Sequence, residues 1–238
     1  MLSVRRLPAV ENAPGLSTTA TDMSDDMHEE LPKTPLKVTV YSDYICPFCY
    51  IGYLRLEKLR DEYDLDTDWR FLEIHPDNPP EGRPLSELGY PPHHWDMLMA
   101  NLERMAREEG VALAERTFTT NSRLALELAQ AVREQQPDVF ASMNRALYEA
   151  YFVHRENIGD PAVLRSLAEA CGVDRRLVEG AWTDPRYDEV LDENQRSAAR
   201  LRITGTPSYV FGDRVYGGAL PVEMLREAAA RSVSPARP

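Results

Sequence analysis

Long apolar runs are missing from this chain of 238 residues. No 18 apolar residues stand together, which speaks against a membrane-spanning helix. Cysteine is scarce as well. There are three, and two of them share one short motif, so no framework of structural disulfides can be built. Positive charge is in deficit, with 27 Lys and Arg against 39 Asp and Glu and a net charge of −12. That balance speaks against nucleic acid or an anionic membrane as a partner and mainly predicts solubility. A structural zinc normally needs four ligands, yet no second C-x-x-C and no H-x-x-x-H accompanies the first pair. The adjacent His93 and His94 cannot both face one metal from a single helix face, so no metal is expected. The N-terminus carries Arg5 and Arg6 without a following apolar core, so a secretory signal is not expected and a cytoplasmic location is.

An apolar fraction of 43% supports a full core, in one large domain or a domain with an insertion. The chain is organised around Val38 to Arg60, V-T-V-Y-S-D-Y-I-C-P-F-C-Y-I-G-Y-L-R-L-E-K-L-R. It begins as a β-branched and aromatic run and ends as a helix pattern. Leu54, Leu56 and Leu59 form the apolar side of that pattern; Arg55, Glu57, Lys58 and Arg60 form the polar side. Pro47 lacks an N–H and suits the first turn of a helix. Cys46 therefore falls at the N-cap, where unpaired N–H groups and the macrodipole favour a thiolate. Cys49, one turn on, is placed to close a disulfide ring with Cys46. The pair reads as dithiol–disulfide exchange chemistry.

Residues 1–34 are rich in Ser, Thr, Pro and acid and read as a disordered extension. Lys37 to Tyr41 reads as the first strand, Pro47 to Tyr63 as the helix after the cysteines, and Thr67 to Ile74 as a second strand. From about Pro91 to Arg202 the spacing is helical, with Met and aromatic residues at bundle-core intervals. Cys171-Gly172 signals a helix end there. Strand texture returns at Ser208 to Phe211, with Gly212-Asp213 as the hairpin turn, and Pro221 to Arg231 closes the chain as a helix. The order β-α-β, helical block, β-β-α suits an α/β fold whose mixed sheet is divided by an insertion.

Several segments carry a family resemblance. S-D-Y-I-C-P-F-C-Y-I-G, R-F-L-E-I-H-P-D-N-P-P-E-G, N-S-R-L-A-L-E-L-A, A-L-Y-E-A-Y-F with N-I-G-D downstream, I-T-G-T-P-S-Y-V-F and Y-G-G-A-L-P resemble the FrnE-like branch of the DsbA family. The resemblance runs from about Leu36 to Ala230. It implies a thioredoxin-like fold, a mixed central sheet flanked by helices, with parts at 35–83 and 203–232 around an all-helical insertion at 84–202. It also implies that Thr206-Pro207 is the cis-proline facing the cysteines, so that the Thr206 backbone can pair with a substrate. Thioredoxins place a buried acid six residues before the first cysteine; here that position is Val40. Asp43, nearer in the chain, reads as a turn residue. Phe48 brings no cation, so a moderately low pKa is expected for Cys46.

The resemblance implies a thiol–disulfide oxidoreductase of the oxidase or isomerase type, with Cys46 attacking and Cys49 resolving. Pro47, Phe48, Tyr44, Tyr50, Thr206 and Pro207 would form the docking rim, although Tyr44, Phe48 and Tyr50 each also suit plain core positions. The substrate would be a protein or small-molecule thiol or disulfide, with no cofactor beyond the redox pair and glutathione as a candidate co-substrate. One alternative is a glutathione-dependent isomerase of the 2-hydroxychromene-2-carboxylate type or a kappa-class glutathione transferase. Such enzymes typically carry Ser at the attacking position. Another is a chaperone-like binding module. Asn121-Ser122 reads as a helix N-cap or as part of a wall over the site. Cys171 reads as a small apolar residue beside its helix end.

Overall fold

A computed structural model describes residues 32–115 and 117–234. The expected extension therefore lies outside the described residues, apart from its last three positions. Of these, Thr34 already belongs to a strand.

Strand β1 (Thr34–Ser42) leads into helix α1 (Pro47–Glu57), which tightens into a 3₁₀ turn at Lys58–Asp61 before β2 (Tyr63–Phe71). The helix thus ends earlier than its spacing predicts, and Tyr63 belongs to a strand. β2 pairs with the whole of β1 in parallel, from Thr34 opposite Tyr63 to Ser42 opposite Phe71. Asp64 and Asp66 are exposed and obscure the alternation at its start, while Leu65, Trp69 and Phe71 point inward. β2 ends the sheet, and charges on such an edge discourage pairing with other chains.

The chain returns to the sheet as β5 (Ser208–Phe211) and β6 (Arg214–Gly217), joined through Gly212 at φ +61°. The order is β2-β1-β5-β6, with β5 antiparallel to β1. Helix α8 (Val222–Val233) closes the fold. Leu36, Val38 and Val40 alternate towards the main core, while Tyr41 lies with Leu72 and Ala198 in a second cluster.

Between β2 and β5 the expected all-helical insertion is not entirely helical. Two-residue strands β3 (Arg83–Pro84) and β4 (Phe118–Thr119) form a small antiparallel sheet, too short for any periodic signal. The helices are α2 (Pro92–Glu108), α3 (Arg123–Gln135), α4 (Pro137–Phe152), α5 (Pro161–Ala170), α6 (Arg175–Ala181) and α7 (Pro185–Arg200). Asp160, Asp174 and Asp184 cap α5, α6 and α7 through side-chain bonds to Ala162, Arg176 and Arg186 N–H groups. α3 and α4 supply the buried faces. In α2 only Leu102 and Ala106 are buried, so its Trp95, Leu98 and Met99 are less covered than their spacing predicts.

Candidate active site

Cys46 is the N-cap of α1, with extended backbone at φ −86° and ψ 113°, and Pro47 opens the helix. The Cys46 carbonyl accepts from the N–H groups of Cys49 at 3.0 Å and Tyr50 at 3.4 Å. The Cys46 thiol donates to the Thr206 carbonyl at 3.5 Å, across 160 residues of chain. The Thr206–Pro207 peptide is cis, Thr206 is half-buried and Pro207 buried. Strand β1 brings Cys46 to the sheet end, and the lead into β5 brings Thr206 and Pro207 to the same place.

The two sulfurs differ in character. Both cysteines are free thiols, with Cys46 6% exposed and Cys49 1%. A hydrogen bond from the Cys49 thiol, helped by the Thr206 side chain and the Cys49 N–H, holds Cys46 below the usual thiol range against burial and the charge of Asp43. Burial, and then the bond to Cys46, pushes Cys49 well above that range; the Ser42 hydroxyl partly offsets this. A thiolate is the nucleophile in exchange, so the arrangement presents one reactive sulfur and keeps the other protonated behind it.

Phe48 and Pro47 are half-buried next to the cysteines. Tyr44 and Tyr50 do not form a rim. Tyr44 has no exposed surface, donates to Asn144 Oδ1 at 2.7 Å, and packs on Phe71 and Tyr148. Tyr50 is buried and stacks on Tyr148 and Phe152. Both are claimed by the aromatic core under α4, where burying large rings outweighs leaving them in water. Their neighbour Ser42 hydrogen-bonds Tyr148 Oη at 2.6 Å.

Asp43 is more than a turn residue. Its Oδ1 accepts from Ile45 N–H at 3.2 Å, as a turn requires, while Oδ2 accepts from Ile74 N–H at 2.9 Å and the Ser122 hydroxyl at 3.0 Å. It has no exposed surface, and burial pushes its carboxyl up to about 7. Ser122 stands at the N-cap of α3 but does not cap with its side chain. Asn121 supplies the local bond instead, its Oδ1 accepting from Arg123 N–H at 2.8 Å. The S-D dipeptide before the cysteines was visible in the sequence, but its partners from α3 and α4 lie 79 and 106 residues away. Among the described residues no three His, Cys, Asp or Glu side chains gather to hold a metal, and no helix is long and apolar enough to cross a membrane.

Comparison with known proteins matches this architecture. YwbO of Bacillus subtilis, a protein of uncharacterised function, is 27% identical over 194 residues, covering 80% of this chain and 94% of its own. The 2-hydroxychromene-2-carboxylate isomerase of Pseudomonas putida is 24% identical over 202 residues, covering 82% and 94%. The crystal structure of a probable DsbA oxidoreductase from Streptomyces coelicolor superposes with a TM-score of 0.73 at 24% identity, covering 85% of this chain and 93% of that one. The family model of the DsbA-like thioredoxin domain matches residues 37–230, and the chain belongs to that family.

Proposed function

We propose that the protein exchanges disulfides through Cys46 and Cys49. The observation that carries this reading is the asymmetry of the two thiols, with Cys46 lowered at a helix N-terminus and Cys49 raised behind it. In the reducing direction the Cys46 thiolate attacks a substrate disulfide, forming a mixed disulfide and releasing one substrate thiolate. Cys49 then gives up its proton and attacks the Cys46 sulfur. The Cys46–Cys49 disulfide forms, the second substrate thiolate leaves, and two electrons have passed to the substrate. Run backwards, the same steps oxidise a dithiol. Pro47, Phe48, Thr206 and Pro207 surround the attacking sulfur and form the docking surface, with the Thr206 backbone beside the substrate chain. A protein or small-molecule disulfide is the substrate, and glutathione serves as co-substrate.

The test is exchange with oxidised glutathione followed by mass spectrometry. Cys46→Ser should abolish exchange, and Cys49→Ser should accumulate a mixed disulfide on Cys46. Exchange that survives Cys46→Ser removes the proposal. A second reading is favoured by the Pseudomonas putida relative: glutathione-dependent isomerisation of an aromatic carboxylate. Turnover of 2-hydroxychromene-2-carboxylate by the reduced protein with glutathione, retained in Cys49→Ser, would establish that reading instead. The cytoplasmic setting belongs to this proposal and is checked by fractionating the producing cells.

A further inference from the structure

Asp43 lies three residues before Cys46, and the Cys46 N–H donates to its carbonyl at 3.2 Å. Its carboxyl is enclosed and held by three neutral donors, Ile45 N–H, Ile74 N–H and the Ser122 hydroxyl. No Lys or Arg among the described residues pairs with it. Arg123, on α3 beside Ser122, is engaged by Glu73 at 2.8 Å, by Glu127 at 3.2 Å and by Asp188. The other groups facing this corner are Glu73, the neutral Tyr44 and Tyr148, and the thiols themselves. Glu73 adds a second negative charge that opposes ionisation of Asp43.

A Cys46 thiolate and an Asp43 carboxylate would place two like charges in one buried corner, which disfavours ionising both. A Cys46–Cys49 disulfide carries no charge and removes that conflict. We propose that Asp43 links proton uptake to the redox state of the pair, binding a proton when the disulfide is reduced and releasing it when the disulfide forms. The proposal rests on the disulfide-exchange reading above and assigns Asp43 as a positioning residue that acts through Cys46. With dithiothreitol as reductant, the dithiol closes its ring and yields two electrons and two protons. The disulfide takes the electrons, Cys49 takes one proton, Asp43 takes the other, and Cys46 remains a thiolate. Without Asp43, the second proton is released to solvent. Burial sets the carboxyl to titrate near neutrality, about 7, where this exchange matters.

Two measurements test the link. The first is the ¹³C carboxyl titration of Asp43 in the oxidised and reduced protein. Its midpoint should lie higher in the reduced form; equal midpoints in the two forms overturn the proposal, because a purely structural carboxyl would not sense the disulfide. The second is the equilibrium constant for reduction by dithiothreitol across neutral pH. In Asp43→Asn it should rise about tenfold per pH unit once Cys46 is ionised, as release of one proton requires, while the wild type stays flatter around pH 7. Identical slopes in the two proteins also overturn the proposal. Ser122→Ala is the second variant should Asp43→Asn fail to fold. Loss of one donor to the carboxylate should raise the Asp43 midpoint in both redox states and keep the difference between them; a vanished difference counts against the link. Failure of Cys46 and Cys49 to form a disulfide at all would overturn the exchange reading and this proposal together, whereas cycling without a shift in Asp43 overturns this proposal alone.

Discussion

The hydroxyl of Tyr209 is buried on β5 and has no hydrogen-bond partner among the described residues. A buried hydroxyl left unpaired carries its full desolvation penalty, so Tyr209→Phe should stabilise the reduced protein by about 1 kcal/mol. Urea unfolding measures this, and a destabilised variant would mean the hydroxyl has a partner. Asp43 makes an opposite kind of prediction, in pH rather than in absolute stability. Its folded pKa is raised from 3.8 to about 7, so its contribution to stability is fully present below the unfolded value and is lost as pH rises through about 7. Between pH 4 and 7 the wild type should lose on the order of 4 kcal/mol relative to Asp43→Asn, since a tenfold change in proton affinity is worth about 1.4 kcal/mol. Parallel stability curves for the two proteins would show that Asp43 does not titrate in this range. Neither residue announced its setting in the sequence. Tyr209 is one aromatic in a strand, and Asp43 is an ordinary turn residue until Ser122 and Ile74 close over it.

Helix α1 lies so close to β5 that a side chain at Gly52 has no room. A Cβ there would collide with Tyr209 Oη and stand 3.0 Å from Pro207 Cγ. Ala in mid-helix ordinarily gains up to about 1 kcal/mol over Gly, so the sign of Gly52→Ala reports the crowding directly. It should destabilise by about 1–3 kcal/mol. Adding Tyr209→Phe removes the nearest atom and leaves the ring carbon at 3.4 Å, so the double variant should recover much of the loss. A double-mutant cycle in urea measures the coupling, and strict additivity would place the crowding elsewhere. Arg55 joins the same helix to α2. Only 3% exposed, it donates to Glu109 at 2.7 Å, to Glu108 at 2.7 Å and to the Ala219 carbonyl at 2.9 Å. Helical spacing put Arg55 on the polar side of α1, and it is polar; burial comes from the α2 carboxylates, which lie more than 50 residues on. Spacing within one element reveals which face is apolar but not which charge another element will enclose. The same limit explains β3 and β4, whose two residues each leave no period to read.

At the scale of the molecule, the net charge of −12 acts on whatever approaches the thiols. Exchange with oxidised glutathione, an anion, should speed up as salt is raised from low ionic strength, while exchange with the cationic disulfide cystamine should slow. Stopped-flow rates at several salt concentrations decide it, and equal slopes for the two disulfides would mean the charge is screened from the site. The element order and the division of the sheet were legible because β1, β5, β6 and the long helices each keep a clear period or a Pro or Gly boundary. Of the candidate site, the placement of Cys46 and Pro47 at a helix start and the approach of Thr206-Pro207 were legible. Its walls were not, because Ser122 and Tyr148 reach Asp43 and Ser42 only through the folded topology. The 160 residues that separate Cys46 from its Thr206 neighbour also set a timetable for biosynthesis. At roughly 5–20 residues per second, both thiols leave the ribosome some 8–30 seconds before the carbonyl that will sit against Cys46 emerges in its turn. For that interval the nascent chain carries two thiols that the finished protein all but encloses, open to any oxidant or passing disulfide, and translation speed governs how long that exposure lasts.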